Sequence, residues 1–96
     1  MLAKRIHVVR FNERFTEKQK VFLEKETEFY YKIVHEGIGF KHCHLYIELK
    51  NPKDLVEVAL LFNVKQKCVI KVEGSRQSMI KYLSWLTFTK SKNTRW

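Results

Sequence analysis

The chain has 96 residues, 45% hydrophobic, with seven Phe, four Tyr and two Trp, which suits one small domain with a real core and excludes a two-domain or disordered chain. Nineteen Lys and Arg against ten Asp and Glu give a formal net charge of +9, a bias toward a polyanionic partner, of which nucleic acid is the usual one. Two cysteines are too few for a disulfide framework, no apolar run is long enough to span a membrane, and the N-terminus turns polar at once, so a reducing intracellular setting and no membrane are expected.

Residues 4–11 (KRIHVVRF) are β-branched and aromatic-rich and predict a strand. Thr16 caps a helix, Gln19 completes its capping box, and Phe22, Leu23, Phe29 and Tyr30 recur at helical spacing to about residue 30. Residues 32–36 predict a second strand, and Gly37 and Gly39 a turn.

Residues 41–49 alternate cleanly. Cys43, Leu45, Ile47 and Leu49 face one way, and His42, His44, Tyr46 and Glu48 the other. The first row is a core face, and the second carries two imidazoles side by side. Asn51-Pro52 predicts a helix start, with Pro at the first helical position, and the helix runs to about residue 62. Residues 67–73 predict another strand, with Cys68, Ile70 and Val72 inward and Lys71 on the imidazole side. Gly74-Ser75 opens a third helix with an inner stripe of Met79, Tyr82, Leu83 and Leu86. Residues 89–96 form a basic tail after a domain spanning 1–88.

The order β-α-β-β-α-β-α predicts an α+β fold of the ferredoxin-like, split βαβ kind. Its antiparallel sheet has two helices on one face, and a C-terminal helix carries the tyrosine. The two histidines line the other face.

Imidazoles at i and i+2 on a strand point the same way and can converge on one ion. If the preceding strand pairs as a hairpin, His35 or Glu36 supplies a third ligand, and a carboxylate suits Mg2+ or Mn2+. Alternation turns Cys43 away from His42 and His44, which argues against structural zinc. Tyr82 is either a core residue or, laid across a metal, a nucleophile toward phosphorus. Arg10, Asn12, Lys41, Lys71, Arg76 and Lys81 are the basic and polar residues near the imidazole face and the candidates for DNA contacts. Tyr46 on that face either stacks a base or fills space.

These residues carry a family resemblance. The run KHCHLYIEL resembles the HUH motif of rolling-circle replication initiators (Rep endonucleases), GSRQSMIKYLSW resembles their tyrosine motif, and IHVVRFN occupies the place of their first motif. The likeness covers almost the whole chain in order and spacing and is closest to plasmid and viral initiators. It implies a Mn2+- or Mg2+-dependent, sequence-specific endonuclease acting on single-stranded DNA at an origin stem-loop. The enzyme would stay joined to the 5′ phosphate through Tyr82 and free a 3′ hydroxyl for a polymerase. His42 and His44 carry over as metal ligands, Glu36 matches the acidic ligand of small viral initiators, and His35 matches the histidine of the plasmid group's HD-like pair. Viral members usually have Lys, and plasmid members often His, where this chain has Trp85. The resemblance implies a monomer or homodimer in the cytoplasm of a prokaryotic host, or in the nucleus if the source is a eukaryotic virus. Two other readings compete: a single-tyrosine transposase of the same superfamily, and a non-catalytic single-stranded nucleic-acid-binding module, for which an FxF-like aromatic pair is missing.

Overall fold

The computed structural model describes residues 2–10, 14–37 and 40–84, with the side chains of 35–37 and 40–42 outside the description. Four antiparallel strands form one sheet in the order β2-β3-β1-β4. They are β1 (Leu2–Arg10), β2 (Thr27–Gly37), β3 (Phe40–Asp54) and β4 (Val69–Lys71). Helix α1 (Glu17–Glu26) joins β1 to β2, and α2 (Leu55–Phe62) joins β3 to β4 through a short 3-10 turn at Gln66–Cys68. A third helix, α3, occupies residues 76–84. This is an α+β domain with the strand order of the split βαβ arrangement.

Both faces of the sheet are used. On one, Ile6, Val8, Leu45, Ile47, Leu49 and Val69 pack against Phe22 and Leu23 of α1 and Val58, Ala59 and Phe62 of α2. Their period-2 spacing in the strands is why β1 and β3 could be read from the sequence. Thr16 caps α1 as expected: its Oγ1 accepts from Gln19 N at 3.2 Å, and Gln19 Oε1 accepts from Thr16 N at 3.0 Å. The inward Gln19 also donates from Nε2 to the Leu61 carbonyl at 3.0 Å, tying α1 to α2.

Three boundaries differ from expectation. Helix α1 stops at Glu26, and Phe29 and Tyr30 belong to β2. The run TEFYYKIV is β-branched and aromatic, and pairing with β3 overrides a helical spacing that two aromatics satisfy by coincidence. Asn51-Pro52 does not start α2. β3 continues to Asp54, whose side chain caps α2 by accepting from Val56 N at 3.0 Å. Pro52 falls where the β1–β3 register shifts between Ala3 and Arg5, and an irregularity of that kind tolerates a residue without an N–H. In the last strand the phase is displaced by one. Val69 is buried, Ile70 is exposed, and the pairs Ile6↔Lys71 and His7↔Ile70 place Lys71 in the helix-side row and Ile70 in the imidazole row. The 3-10 turn absorbs Gln66–Cys68 and resets the alternation.

Gly74-Ser75 opens α3 as expected: Ser75 Oγ accepts from Ser78 N at 3.1 Å. The helix lies across the imidazole-side face. Leu83 is fully buried, and the Tyr31 and Ser84 hydroxyls are 3.3 Å apart. Leu86, Trp85 and the tail at 89–96 lie outside the described residues.

Candidate active site

The row opposite the hydrophobic core runs through Arg5, His7 and Val9 of β1, His44, Tyr46 and Glu48 of β3, and Phe29, Tyr31 and Ile33 of β2. At one end it is sealed. Tyr46 is fully buried, and its hydroxyl donates to Glu48 Oε2 at 2.7 Å. Arg76 at the start of α3 grips the same carboxylate with two hydrogen bonds, Nε to Oε2 at 2.8 Å and Nη2 to Oε1 at 2.7 Å. Its guanidinium lies over the Phe29 ring, 4.1 Å from the centroid. Those hydrogen bonds from Arg76 are the largest cause holding the Glu48 carboxyl below the ordinary carboxylate range, against the opposing effect of burial. Burial first, and the bond to Glu48 second, push the Tyr46 phenol up to about 12. This end is a fastening for α3. Tyr46 is not a base-stacking platform, and Arg76 is committed to Glu48.

At the other end of the row the face holds imidazoles and a tyrosine. His7 is buried, and its Nε2 is 3.1 Å from His44 Nδ1, a hydrogen bond whose proton sits on one ring or the other. The rings are stacked with centroids 5.3 Å apart. Burial lowers the pKa of His7 and so favours its neutral form. Tyr82 of α3 is 50% exposed. Together with His7, Ile70, Ser75, Ser78 and Met79 it borders a cleft of about 330 Å3. The fold therefore puts Tyr82 and an imidazole hydrogen-bonded to His44 of β3 on one concavity. Tyr30 is exposed but pairs with Ile47 in the opposite row.

The backbone register places the remaining predicted ligands by position. His35 pairs with His42, and Glu36 pairs with Lys41. Ile33 pairs with His44, so alternation puts positions 35, 42 and 44 in one row and position 36 in the other. Among the residues whose side chains are described, no group of three or more His, Cys, Asp or Glu comes together. The described contribution is the His7–His44 pair, joined by the hydrogen bond between His7 Nε2 and His44 Nδ1. Imidazole nitrogen is a donor that divalent metals take, and two such rings meet here. Cys43 faces the core, fully buried, as its place in the alternation predicts.

His7 is absent from the sequence-based set. A lone histidine in a β-branched run carries little signal, but its spacing against Ile6 and Val8 puts it on the imidazole row. The DNA-contact candidates divide. Arg10 is a correction: it belongs to the helix-side row, paired with Cys43, and is 6% exposed. Lys71 falls in that same row by register but borders the cleft of His7 and Tyr82, its Nζ 3.7 Å from Glu73 Oε1. Lys81 is exposed on α3. Asn12 lies outside the described residues, and the backbone of Lys41 lies at the hairpin end of β3.

No helix among the described residues is long and apolar enough to cross a membrane. No protein-family model, curated protein or solved structure matches this chain.

Proposed function

We propose that the chain is a metal-dependent endonuclease that nicks single-stranded DNA through Tyr82 and initiates rolling-circle replication. The observation that carries this reading is the shared cleft: Tyr82, half exposed, borders the same concavity as His7, whose imidazole is bonded to His44 of the HUH strand.

Position by position, His44, His42 and, by register, His35 would hold Mn2+ or Mg2+. Bound there, the ion would polarise the scissile phosphate and offset the charge that develops on it. His7 would orient the site: its Nε2 engages His44 Nδ1, the outer-shell arrangement that fixes the ring of a metal-bound histidine. The Tyr82 oxygen attacks phosphorus as its proton passes to a base. The bond from phosphorus to the 3′ oxygen breaks, that oxygen takes up a proton, and the 5′ phosphate stays esterified to Tyr82. The half-exposed phenol needs no rearrangement of the core to reach a strand, in contrast with buried Tyr46.

The non-catalytic module loses support from the same face. A stacking platform needs exposed aromatics on the central strands, and Tyr46 is covered by α3. The test is incubation with a diverse pool of single-stranded oligonucleotides and Mn2+, followed by a denaturing gel. A protein–DNA adduct is expected for the wild type and none for Tyr82→Phe. No adduct on any sequence of the pool would contradict the enzyme reading.

A further inference from the structure

On the far side of the sheet from Tyr82, Arg10 presents a physical problem. The side chain is 94% buried, being 6% exposed, and a guanidinium keeps its charge in any protein environment. Of its nitrogens, Nη2 makes one long hydrogen bond, 3.3 Å to Gln19 Oε1, while Nε and Nη1 have no partner. The rings of Phe15 and Phe62, with centroids 4.9 and 5.8 Å from its Cζ, attract the cation but do not satisfy its N–H groups. Burial lowers the Arg10 pKa, against a smaller opposing effect of Cys43.

Beside it lies a cavity of about 610 Å3, bounded by β1, the start of α1 and the segment from Phe62 to Cys68. Among the described residues, Arg10, Lys65 and Lys67 are its charged lining, with no carboxylate beside them. Val9, Phe62 and Val64 supply apolar wall. A buried cation short of acceptors, two lysines at the rim and an apolar wall together suit an anion carried on a flat or apolar body.

We propose that this cavity binds a nucleotide through its phosphate, with Arg10 as the anchoring group, Lys65 and Lys67 as the electrostatic rim, and the base against the apolar wall. Arginine takes phosphate through charge-assisted N–H donors, and Nε and Nη1 are two such donors that nothing in the described structure engages. Both nitrogens are closed to water, so engagement turns the guanidinium toward the cavity about its outer side-chain bonds. The site does not depend on the nuclease reading. Its chemistry needs no metal, and its residues lie on the other face of the sheet.

The test is run in EDTA, so that no metal bridges phosphate to the imidazole face. The full chain, 15N-labelled at arginine, is titrated with inorganic phosphate, thymidine 5′-monophosphate and a short oligothymidylate at constant ionic strength. The Arg10 Nε–H resonance is followed, and affinities are measured by calorimetry. The nucleotide and the oligomer are expected to shift that resonance and to bind more tightly than inorganic phosphate. Arg10→Met, which keeps an unbranched side chain between the two phenylalanines, is expected to weaken binding about tenfold or more, the range for a lost charged hydrogen bond. Lys65→Gln with Lys67→Gln is expected to weaken it and to flatten its salt dependence. An unshifted Arg10 Nε–H at saturating nucleotide would overturn the proposal, and that result needs no variant to fold. So would equal nucleotide affinity in Arg10→Met, or inorganic phosphate binding as tightly as the nucleotide.

Discussion

At the scale of single residues, the four tyrosines separate by environment. Tyr46 is buried and donates to Glu48, Tyr30 faces the helix side, Tyr31 meets Ser84, and Tyr82 borders the cleft with His7. Tyr46→Phe removes one hydrogen bond and leaves Glu48 held by Arg76. It is expected to cost about 1–2 kcal/mol of stability, measured by urea unfolding, and to leave nicking intact. His7 and Arg10 carry a signal that the sequence reading passes over, setting Arg10 near the imidazole face and leaving His7 out of the site. Alternation from Ile6 and Val8 assigns each to its row, His7 opposite the core and Arg10 within it. The His7–His44 bond and the partnerless guanidinium were not readable, because both depend on which strand lies alongside and on side chains distant in sequence.

At the scale of elements, α3 matters most, because it carries Tyr82. It is fastened at its start by Arg76 on Glu48 and along its length by buried Leu83. Leu83→Ala is expected to destabilise the domain by about 2–4 kcal/mol, as for other buried leucines, and to lower nicking at temperatures where the domain remains folded. The Arg76–Glu48 pair sets an acid limit. The folded-state pKa of Glu48 lies below its ordinary 4.5. Its contribution is therefore full above the unfolded value and is lost as the pH falls through the folded one. Melting temperature should drop over that acid range in the wild type, and Glu48→Gln should remove this part of the drop. If both proteins show the same acid profile, the fastening does not act through Glu48. The capped start of α3 was legible from Gly74-Ser75. The start of α2 was not, because a register shift in β1–β3 lets Pro52 remain in a strand.

For the whole molecule, the strand order β2-β3-β1-β4 follows from the alternation of helix and strand patterns. The position of α3 does not, since an amphipathic stripe says that a helix packs without saying on which face. The net charge of +9 belongs to this scale. If about three phosphates are neutralised, raising salt from about 50 to 200 mM should weaken single-stranded DNA binding tenfold or more. A fluorescence-anisotropy titration that is flat in salt would mean that the basic residues do not contact the strand. The central claim, cutting through Tyr82, is tested most directly by mapping the DNA adduct. Trypsin places Tyr82 in the peptide of residues 82–90, Tyr46 in 42–50, and Tyr30 with Tyr31 in 26–32. After reaction with single-stranded DNA and Mn2+ and nuclease trimming, mass spectrometry should find the nucleotide mass on the 82–90 peptide. Finding it on either of the other two peptides, or on none, would contradict the assignment.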